Sequence, residues 1–510
     1  MSLGHNGSMT DPNMGAMAAV DMGSNSFRLE IAQLERGRYK RIEYFKQTVR
    51  LGGGLDADGL LTEEAAQRGL TCLRSFSSQL AGFAPTRVRA VATQTLREAR
   101  NRNAFLLRAQ QALGFPIEVI SGREEARLIY AGVAYLQPSP ERRLVIDIGG
   151  RSTEMILGVG ATPLQAESFG VGCVSLTQRF FPQGRLTDSA FRDAQVAAGA
   201  ELEEALRPFA REHWQHALGS SGTAGAVTQI LQAAGLGRGS ITPEGLRWCI
   251  ERCIAAGHID AISLPGLKPE RHAVLPGGLA LLYTLMANFR IEVMHPARGA
   301  LRQGVIVELH ARLAALGHDT SRDMPRDVRD ASVQELQQRF DVDAGQAGRV
   351  GEIALTLFDQ AVPDADSESR RELGWACALH ETGLMVSHHD HHRHSAYLLA
   401  HVDAPGFSQS QQRRIAELVL GQRGGLRKVE APLVNEMFAW QVLCLRLAVI
   451  KCHARGSADR RALTVRAKGR EASLSFSAAW AETHPRTLFL LREELANWAR
   501  SGPLKLVLPG

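Results

Sequence analysis

Two segments far apart in the chain share one pattern, and this repeat limits the folds that the chain can adopt. The first, Ala-Val-Asp-Met-Gly-Ser-Asn-Ser, spans residues 19–26, and the second, Val-Ile-Asp-Ile-Gly-Gly-Arg-Ser-Thr-Glu, spans residues 145–154. In each, an apolar run ends in an aspartate, skips one residue and opens into a small-residue loop, and a second strand-like run follows. This order is typical of a β-hairpin, so the repeat predicts two similar strand–loop–strand units.

The two loops have the composition of a phosphate-binding site. Glycine at such a tip permits positive φ and lets backbone N–H groups approach an anion, and serine and threonine add hydroxyl donors. One such loop alone would be read as an ordinary turn, but two in matched contexts favour a phosphate chain that is held from both sides. The predicted phosphate contacts are Gly23, Ser24, Asn25 and Ser26 in the first loop and Gly149, Gly150, Arg151, Ser152 and Thr153 in the second.

Carboxylates flank the same two loops. Asp147 and Glu154 stand at the ends of the two strands of one predicted hairpin, so both can reach a divalent ion at its tip, and Asp21 takes the matching position in the other hairpin. Mg²⁺ prefers oxygen ligands and keeps waters and substrate phosphates in its shell. The alternative is that these acids only cap the turns through hydrogen bonds to the backbone.

Composition narrows the class of protein. The hydrophobic content of 45% and the charged content of 22% are typical of soluble globular proteins, and we expect no membrane insertion because no apolar run approaches a bilayer span. The seven cysteines contain no Cys-x-x-Cys motif, which favours buried reduced thiols in a cytoplasmic protein. Residues 413–510 hold 17 Lys and Arg against 8 Asp and Glu, so this end carries +9 and the rest −3. That charge fits a polyanionic partner and an ordinary basic surface equally well.

The order of helix and strand signals predicts five segments. Residues 1–14 lack the basic start and apolar core of a signal peptide, and we expect them to be a leader or a disordered segment. Two α/β lobes should follow at 15–135 and 136–315, because each begins with one of the hairpins. Helical periodicity then predicts a helical domain at 316–435, and alternating runs after one more helix predict a small α+β domain at 436–510.

Further motifs give the chain a resemblance to a known family. They are Asp21-Met-Gly-Ser-Asn-Ser-Phe, Ala92-Thr-Gln-Thr-Leu-Arg-Glu-Ala, Ile120-Ser-Gly-Arg-Glu-Glu-Ala-Arg-Leu-Ile-Tyr, Asp147-Ile-Gly-Gly-Arg-Ser-Thr-Glu and Gly219-Ser-Ser-Gly-Thr. Together, in this order, they resemble the exopolyphosphatase/guanosine pentaphosphate phosphatase family. The resemblance implies an α/β fold of two duplicated actin-like (ribonuclease H-like, sugar-kinase-type) lobes that close over a phosphate-binding cleft.

The similarity continues beyond the two lobes. Leu379-His-Glu-Thr-Gly and His392-Arg-His-Ser-Ala-Tyr resemble the all-helical HD-like domain of the long members of that family, which a small α+β C-terminal domain would follow. True HD phosphohydrolases hold metals with a His-Asp pair, and His380 is followed by Glu381 here. A second metal-dependent active site is therefore not expected, and the histidine-rich run 388–394 is interpreted as a surface or interface cluster with pH sensitivity near 6.5.

The resemblance also implies roles for single residues. Glu125 matches the general base of the family, although acids in the first turn of a helix also simply stabilise it. The family pattern implies a metal role for Asp147 and Glu154. From the sequence alone, Arg97 is equally well explained as an exposed helix residue or as a phosphate contact. The family resemblance favours the phosphate contact. The remaining implied phosphate contacts are Thr93 and the third loop, Ser221, Gly222 and Thr223.

The implied activity is that of an exopolyphosphatase, which releases terminal phosphate from inorganic polyphosphate with Mg²⁺. Removal of the 5′ γ-phosphate of guanosine pentaphosphate (pppGpp) is the alternative within the family, and the fold also permits a small-metabolite kinase. A non-catalytic sensor or nucleic-acid binder is a further alternative, but the basic end lacks an interleaved aromatic pattern, so we expect no specific nucleic acid. The resemblance favours a homodimer.

Overall fold

The structure, a computed structural model, describes residues 15–236, 239–316, 327–456, 459 and 461–509. The chain divides into two compact units, which meet in sequence between Pro325 and Arg326. The expected leader, residues 1–14, lies outside the described residues. Among the helices described, none combines the length and the apolar character that crossing a bilayer requires.

The first unit contains two five-stranded sheets with the same topology. Their orders are β3-β2-β1-β4-β5 and β8-β7-β6-β9-β10. Strands β1, β2 and β3 pair in antiparallel order, and β4 pairs in parallel with both β1 and β5. Strands β6 to β10 repeat this pattern in the second sheet. This identical order confirms the prediction of two duplicated α/β lobes. The strands are β1 Met17–Met22, β2 Ser26–Glu35, β3 Arg38–Thr48, β4 Val88–Ala92, β5 Ile117–Val119, β6 Arg142–Ile148, β7 Thr153–Val159, β8 Thr162–Phe169, β9 His216–Ser220 and β10 Met294–Pro296.

Helices cover the sheets, and local signals set where several of them begin. The Thr62 hydroxyl accepts a hydrogen bond from the Ala65 N–H at the start of α1, and Thr242 caps α8 in the same way, with proline at the first position. The helices are α1 Glu63–Gln79, α2 Gln94–Glu98, α3 Arg102–Leu113, α4 Gly122–Leu136, α5 Cys173–Phe180, α6 Asp188–Glu201, α7 Ser221–Ala233, α8 Pro243–Ala256, α9 Leu275–Asn288 and α10 Leu301–Leu316.

Helices α4 and α10 form the centre of this unit. They pack on each other, and α10 also packs on β1 although it comes at the end of the second predicted lobe. A buried core joins both helices to both sheets and includes Ala19 of β1 and Val145 of β6. Small residues permit the close approach, because a Cβ at Gly304 would overlap the Leu128 carbonyl. The packing of α4 on α10 therefore fixes the first turns of both helices against the two sheets. Glu125 of α4 and Arg302 of α10 are thereby brought to the same part of the unit.

The second unit is mostly helical and ends in a three-stranded sheet of order β11-β12-β13. One buried core runs from Val333 to Leu506, so the predicted boundary at 435/436 separates two parts that share a core. The buried Arg446 guanidinium donates to Glu494 and so joins α17 to α19. The elements are α11 Val328–Arg339, α12 Ala344–Ala361, α13 Ser367–Leu379, α14 His391–His401, α15 Gln409–Gly421, α16 Glu430–Leu433, α17 Glu436–Lys451, β11 Thr464–Lys468, β12 Glu471–Ser475, α18 Ala478–Thr483, α19 Pro485–Ser501 and β13 Lys505–Val507.

Candidate active site

The two repeated loops face each other in the first unit. A Cβ built on Gly150 would lie 3.0 Å from the Ser24 Cβ and 3.6 Å from the Asn25 nitrogen, so the loop tips are in contact. The glycines serve close approach here, and the expected positive φ is absent at Gly23 and Gly149. A Cβ on Gly149 would lie only 3.0 Å from the Ser152 carbonyl oxygen. The other role expected of these glycines, the approach of backbone N–H groups to an anion, stays a prediction.

A cavity of about 360 Å³ opens beside the two loops and collects most of the predicted site residues. It is bounded by the ends of β1 and β6, by the start of α4 and by the segment that leads into α10. The predicted residues that line it are Asp21, Gly23, Ser24, Asn25, Ser26, Thr93, Glu125, Asp147, Gly149, Gly150, Ser152, Ser221 and Gly222. The predicted residues outside its lining are Arg97, Arg151, Thr153, Glu154 and Thr223.

Glu125 is a buried carboxylate at the cavity wall, and Arg97 holds it. The Arg97 Nη1 atom donates to Glu125 Oε2 at 2.8 Å and to the Ile120 carbonyl at 3.0 Å, while its other nitrogens donate to Gln94. Burial raises the pKa of Glu125 to about 7, although Arg97 lowers it and the carboxylates of Asp21 and Asp147 raise it further. A carboxylate with a pKa near neutrality, fixed by a guanidinium, is suited to accept a proton from water.

Three predicted phosphate contacts lie behind the cavity wall instead. Arg151 donates to Glu98 at 2.8 Å and to the Gly52 carbonyl, so its guanidinium braces the second loop. The buried Thr153 hydroxyl donates to the Val171 carbonyl at 2.6 Å. Thr223 is buried, with its hydroxyl 3.5 Å from the Ile148 carbonyl oxygen. In this structure, therefore, these three side chains shape the loops without facing the cavity.

Asp147 and Glu154 stand directly opposite each other on β6 and β7, as the hairpin interpretation predicted. Burial raises the pKa of both carboxyls, and for Glu154 the nearby charges of Glu125 and Asp147 raise it further. The Glu154 Oε1 atom accepts from Ser168 at 2.8 Å, but its Oε2 atom is buried without a hydrogen-bond partner among the described residues. The negative charges of Glu125 and Asp147 thus disfavour the charged form of Glu154, and a cation beside Glu154 would offset this effect.

Asp21, the third predicted metal ligand, is engaged by two arginines. Its Oδ2 atom accepts from Arg28 at 3.1 Å and from Arg302 at 3.2 Å. Arg302 also donates to the buried Glu30 at 3.3 Å, and Gln303 donates to both oxygens of Glu30. Asp21 therefore forms ion pairs with two arginine side chains of the protein at the cavity wall.

The sequence reasoning missed the basic lining of the cavity. Arg28 was recognisable, because it is the polar residue that follows the first loop on β2 and pairs directly with Asp21. Arg41 and Lys46 lie on the next strand, β3. Arg271, Arg298 and Arg302 come from remote segments, and the packing of these segments gives no local signal. Burial lowers the pKa of Lys46 and of Arg271, and in both cases neighbouring cations lower it further. The missed cations of the lining are Arg28, Arg41, Lys46, Arg271, Arg298 and Arg302.

The third loop contributes a strained residue and the space for a cation. Ser221 adopts a φ of +70° and lines the cavity, while its hydroxyl donates to the Ile148 carbonyl at 2.8 Å. A Cβ at Gly222 would overlap the Arg271 guanidinium, so glycine is what lets this cation reach the cavity. A loop that combines a residue with strained backbone and a glycine is frequent at binding sites.

The histidine-rich run lies in the second unit and is only partly at the surface. His391 and His392 are 7% and 5% exposed, which differs from the surface cluster that we expected. Burial lowers the pKa of each to about 4, so the rings are neutral near pH 6.5. Within the described residues, no group of three or more His, Cys, Asp or Glu side chains is arranged to hold a metal ion, here or elsewhere.

Comparison with known proteins places this geometry in context. A sequence model of the Ppx/GppA phosphatase family matches residues 31–313, and a model of domain III of the same family matches residues 328–495. An exopolyphosphatase-like protein of known structure is 25% identical over 59% of this chain and 99% of its own, with a TM-score of 0.53. An exopolyphosphatase from Cytophaga hutchinsonii is 24% identical over 58% of this chain and 97% of its own, with a TM-score of 0.52. The Aquifex aeolicus Ppx/GppA family member is 25% identical over 60% of this chain and 99% of its own, with a TM-score of 0.49.

Proposed function

Because this chain belongs to the Ppx/GppA phosphatase family, we propose that it is an exopolyphosphatase that hydrolyses the terminal phosphoanhydride bond of inorganic polyphosphate. One observation carries the proposal: the carboxylate of Glu125 lines the same cavity as both repeated loops. A base beside two phosphate-binding loops and several cations provides the parts that phosphoryl transfer to water requires.

The proposed step is an in-line attack of water on the terminal phosphorus. Glu125 accepts the proton of the water as the new P–O bond forms, the bridging P–O bond breaks, and the shortened chain leaves with the bridging oxygen. Arg97 positions the base through the 2.8 Å contact. Backbone N–H groups and hydroxyls of the loops at 23–26 and 149–152 stabilise the charge on the phosphoryl oxygens. Water is the attacking nucleophile in this step, so the reaction needs no acceptor alcohol.

The residues present fit the Mg²⁺ that the family resemblance implies. Asp147 and Glu154 would hold it, because they face each other across the hairpin and Glu154 has a buried oxygen without a hydrogen-bond partner in the described chain. Two carboxylates suffice when substrate phosphates and waters complete the shell. When bound there, the ion would neutralise charge on the transferring phosphoryl group.

The variant Glu125→Gln tests the proposed function. It keeps the shape of the side chain and removes its basicity, so phosphate release should fall by 10²-fold or more, the range known for general bases. Polyphosphate binding should stay within a few-fold of the wild type. Glu124→Gln is the matched control, because Glu124 lies next in sequence but engages Arg127. Full turnover by the Glu125 variant would remove the assigned base.

Hydrolysis of pppGpp is the second candidate. The exposed ring of Tyr44 lines the cavity and gives a surface on which a purine base can stack. Comparing kcat/KM for pppGpp with kcat/KM for polyphosphate of defined length separates the two activities, and a higher value for pppGpp would demote the first proposal.

The finer family expectations are also proposals. From the resemblance we propose a homodimer in the cytoplasm and an HD-like character for the helices of 316–435. Light scattering of the purified full chain tests the dimer, because the mass of the particle should be twice that of the 55.5 kDa chain.

A further inference from the structure

The edge strand β3 carries a row of side chains that continues the cavity lining outward. Directly opposed residues of an antiparallel pair point to the same face of the sheet. Arg28 lines the cavity from β2, so every second residue after it on β2, together with its β3 partner, shares that face. The register shifts between Ile31 and Ala32, so that Ile42 has no partner on β2 and Arg41 lies on the same face as Tyr44. The paired residues are Arg28 with Lys46, Glu30 with Tyr44, and Ala32 with Arg41.

The row leads from the cavity towards solvent. The Lys46 side chain is 27% exposed, Tyr44 is 40% exposed, and Arg41 is exposed, yet all three line the cavity. The guanidinium of Arg41 lies 5.7 Å from the centre of the Tyr44 ring, and that of Arg302 lies 5.2 Å from it. The Tyr44 ring is thus within cation–π distance of one cation from β3 and one from α10.

The row also has more positive than negative charge. Lys46 lies near Arg28 and Arg271, and both of these cations lower its pKa. The acid within 4 Å of Lys46 in the described chain is Glu270, at 3.9 Å. An anion with several charges along the row would relieve this repulsion, and the arrangement favours a linear chain over a compact ion.

We infer that Lys46, Tyr44 and Arg41 form a lead-in subsite that holds the phosphates behind the terminal one in a long polyphosphate chain. The inference rests on the proposed function and names its substrate class as extended chains. The β2 partners of Lys46 and Arg41, which are Arg28 and Ala32, lie four residues apart, so the row extends about 14 Å at roughly 3.4 Å per residue. Tripolyphosphate is too short to occupy both the loops and the far end of this row, whereas a long chain reaches it.

The test compares two double variants that remove equal charge from the same strand. Arg41→Ala with Lys46→Ala removes the two cations that β3 contributes to the row. Arg38→Ala with Lys40→Ala is the matched control, because Arg38 and Lys40 pair with Glu35 and Gln33 on the opposite face. Steady-state hydrolysis of tripolyphosphate and of long-chain polyphosphate is measured for both and for the wild type. The dissociation constant of long-chain polyphosphate is measured in EDTA by calorimetry.

The row variant should raise KM and the dissociation constant for long chains by about fivefold for each cation, roughly 25-fold in all. KM for tripolyphosphate should rise much less, and the control should stay within about twofold for both. Equal losses in the two variants would show a general field effect, and no loss in the row variant would show no subsite; either overturns the inference. If the wild type hydrolyses neither polyphosphate, the proposed function fails, and the dissociation constants still decide whether the row binds long chains.

Discussion

Replacing Arg97 tests whether this residue sets the charge of the proposed base. The Arg97 guanidinium donates to Glu125 at 2.8 Å, and the two side chains are only 11% and 10% exposed, so solvent screens the pair weakly. Charges about 4 Å apart at an effective dielectric constant of about 20 interact by about 4 kcal/mol. At about 1.4 kcal/mol per pKa unit, the upper bound is a rise of about 3 units in the pKa of Glu125 when the arginine is removed.

We expect Arg97→Ala to shift the acidic limb of the pH–activity profile upward. Water that fills the vacated space reduces the shift to about 1–2 units, from a pKa of about 7 in the wild type. The sign follows because the base is active only when deprotonated, and losing a cation favours the protonated form. The assay is kcat/KM for tripolyphosphate between pH 5 and 10.

Arg97→Lys is the control, since it keeps the charge but loses the fork that reaches Gln94 and Ile120. It should retain a limb near that of the wild type with a lower rate. If the alanine variant keeps its limb near pH 7 while KM alone rises, Arg97 acts on phosphate, as the family resemblance implied, and the role inferred from its contact with Glu125 is wrong. Thermal unfolding of each variant ensures that only folded protein is compared.

Two further predictions concern Gly150 and Glu154. Gly150→Ala should lower kcat/KM by 10-fold or more with only a small change in Tm, because its Cβ would lie 3.0 Å from the Ser24 Cβ and push the loop tips apart; unchanged kcat/KM would show that the tips need not touch. Glu154→Gln should raise the Mg²⁺ concentration for half-maximal activity and raise Tm more at pH 8 than at pH 5. The raised pKa of Glu154 in the folded state means that its favourable contribution exists below the unfolded value of about 4.5 and is lost as the pH rises through the folded pKa. A Tm gain equal at both pH values would contradict this assignment.

The repeated hairpins were readable from sequence because their signals are local. Strand alternation, the Asp-x-Gly spacing and small loop residues all act within about ten positions, and they correctly predicted that Asp147 and Glu154 oppose each other. The same local logic failed for φ at Gly149, where the constraint is the space beside Ser152. Likewise, the sequence around Arg97 is equally typical of an exposed helix residue, and its contact with Glu125 is seen only in the tertiary structure.

Tertiary structure alone decided which cations from remote segments line the cavity. Arg271 reaches it through the room that Gly222 leaves, and Arg302 reaches it because α10 packs against α4 and β1. These contacts join residues that are separated by tens to hundreds of positions, and no periodicity records them. The sequence thus determined that two phosphate loops and their carboxylates would exist. Packing determined which cations meet them, because side chains from remote segments become neighbours only when a common core is buried.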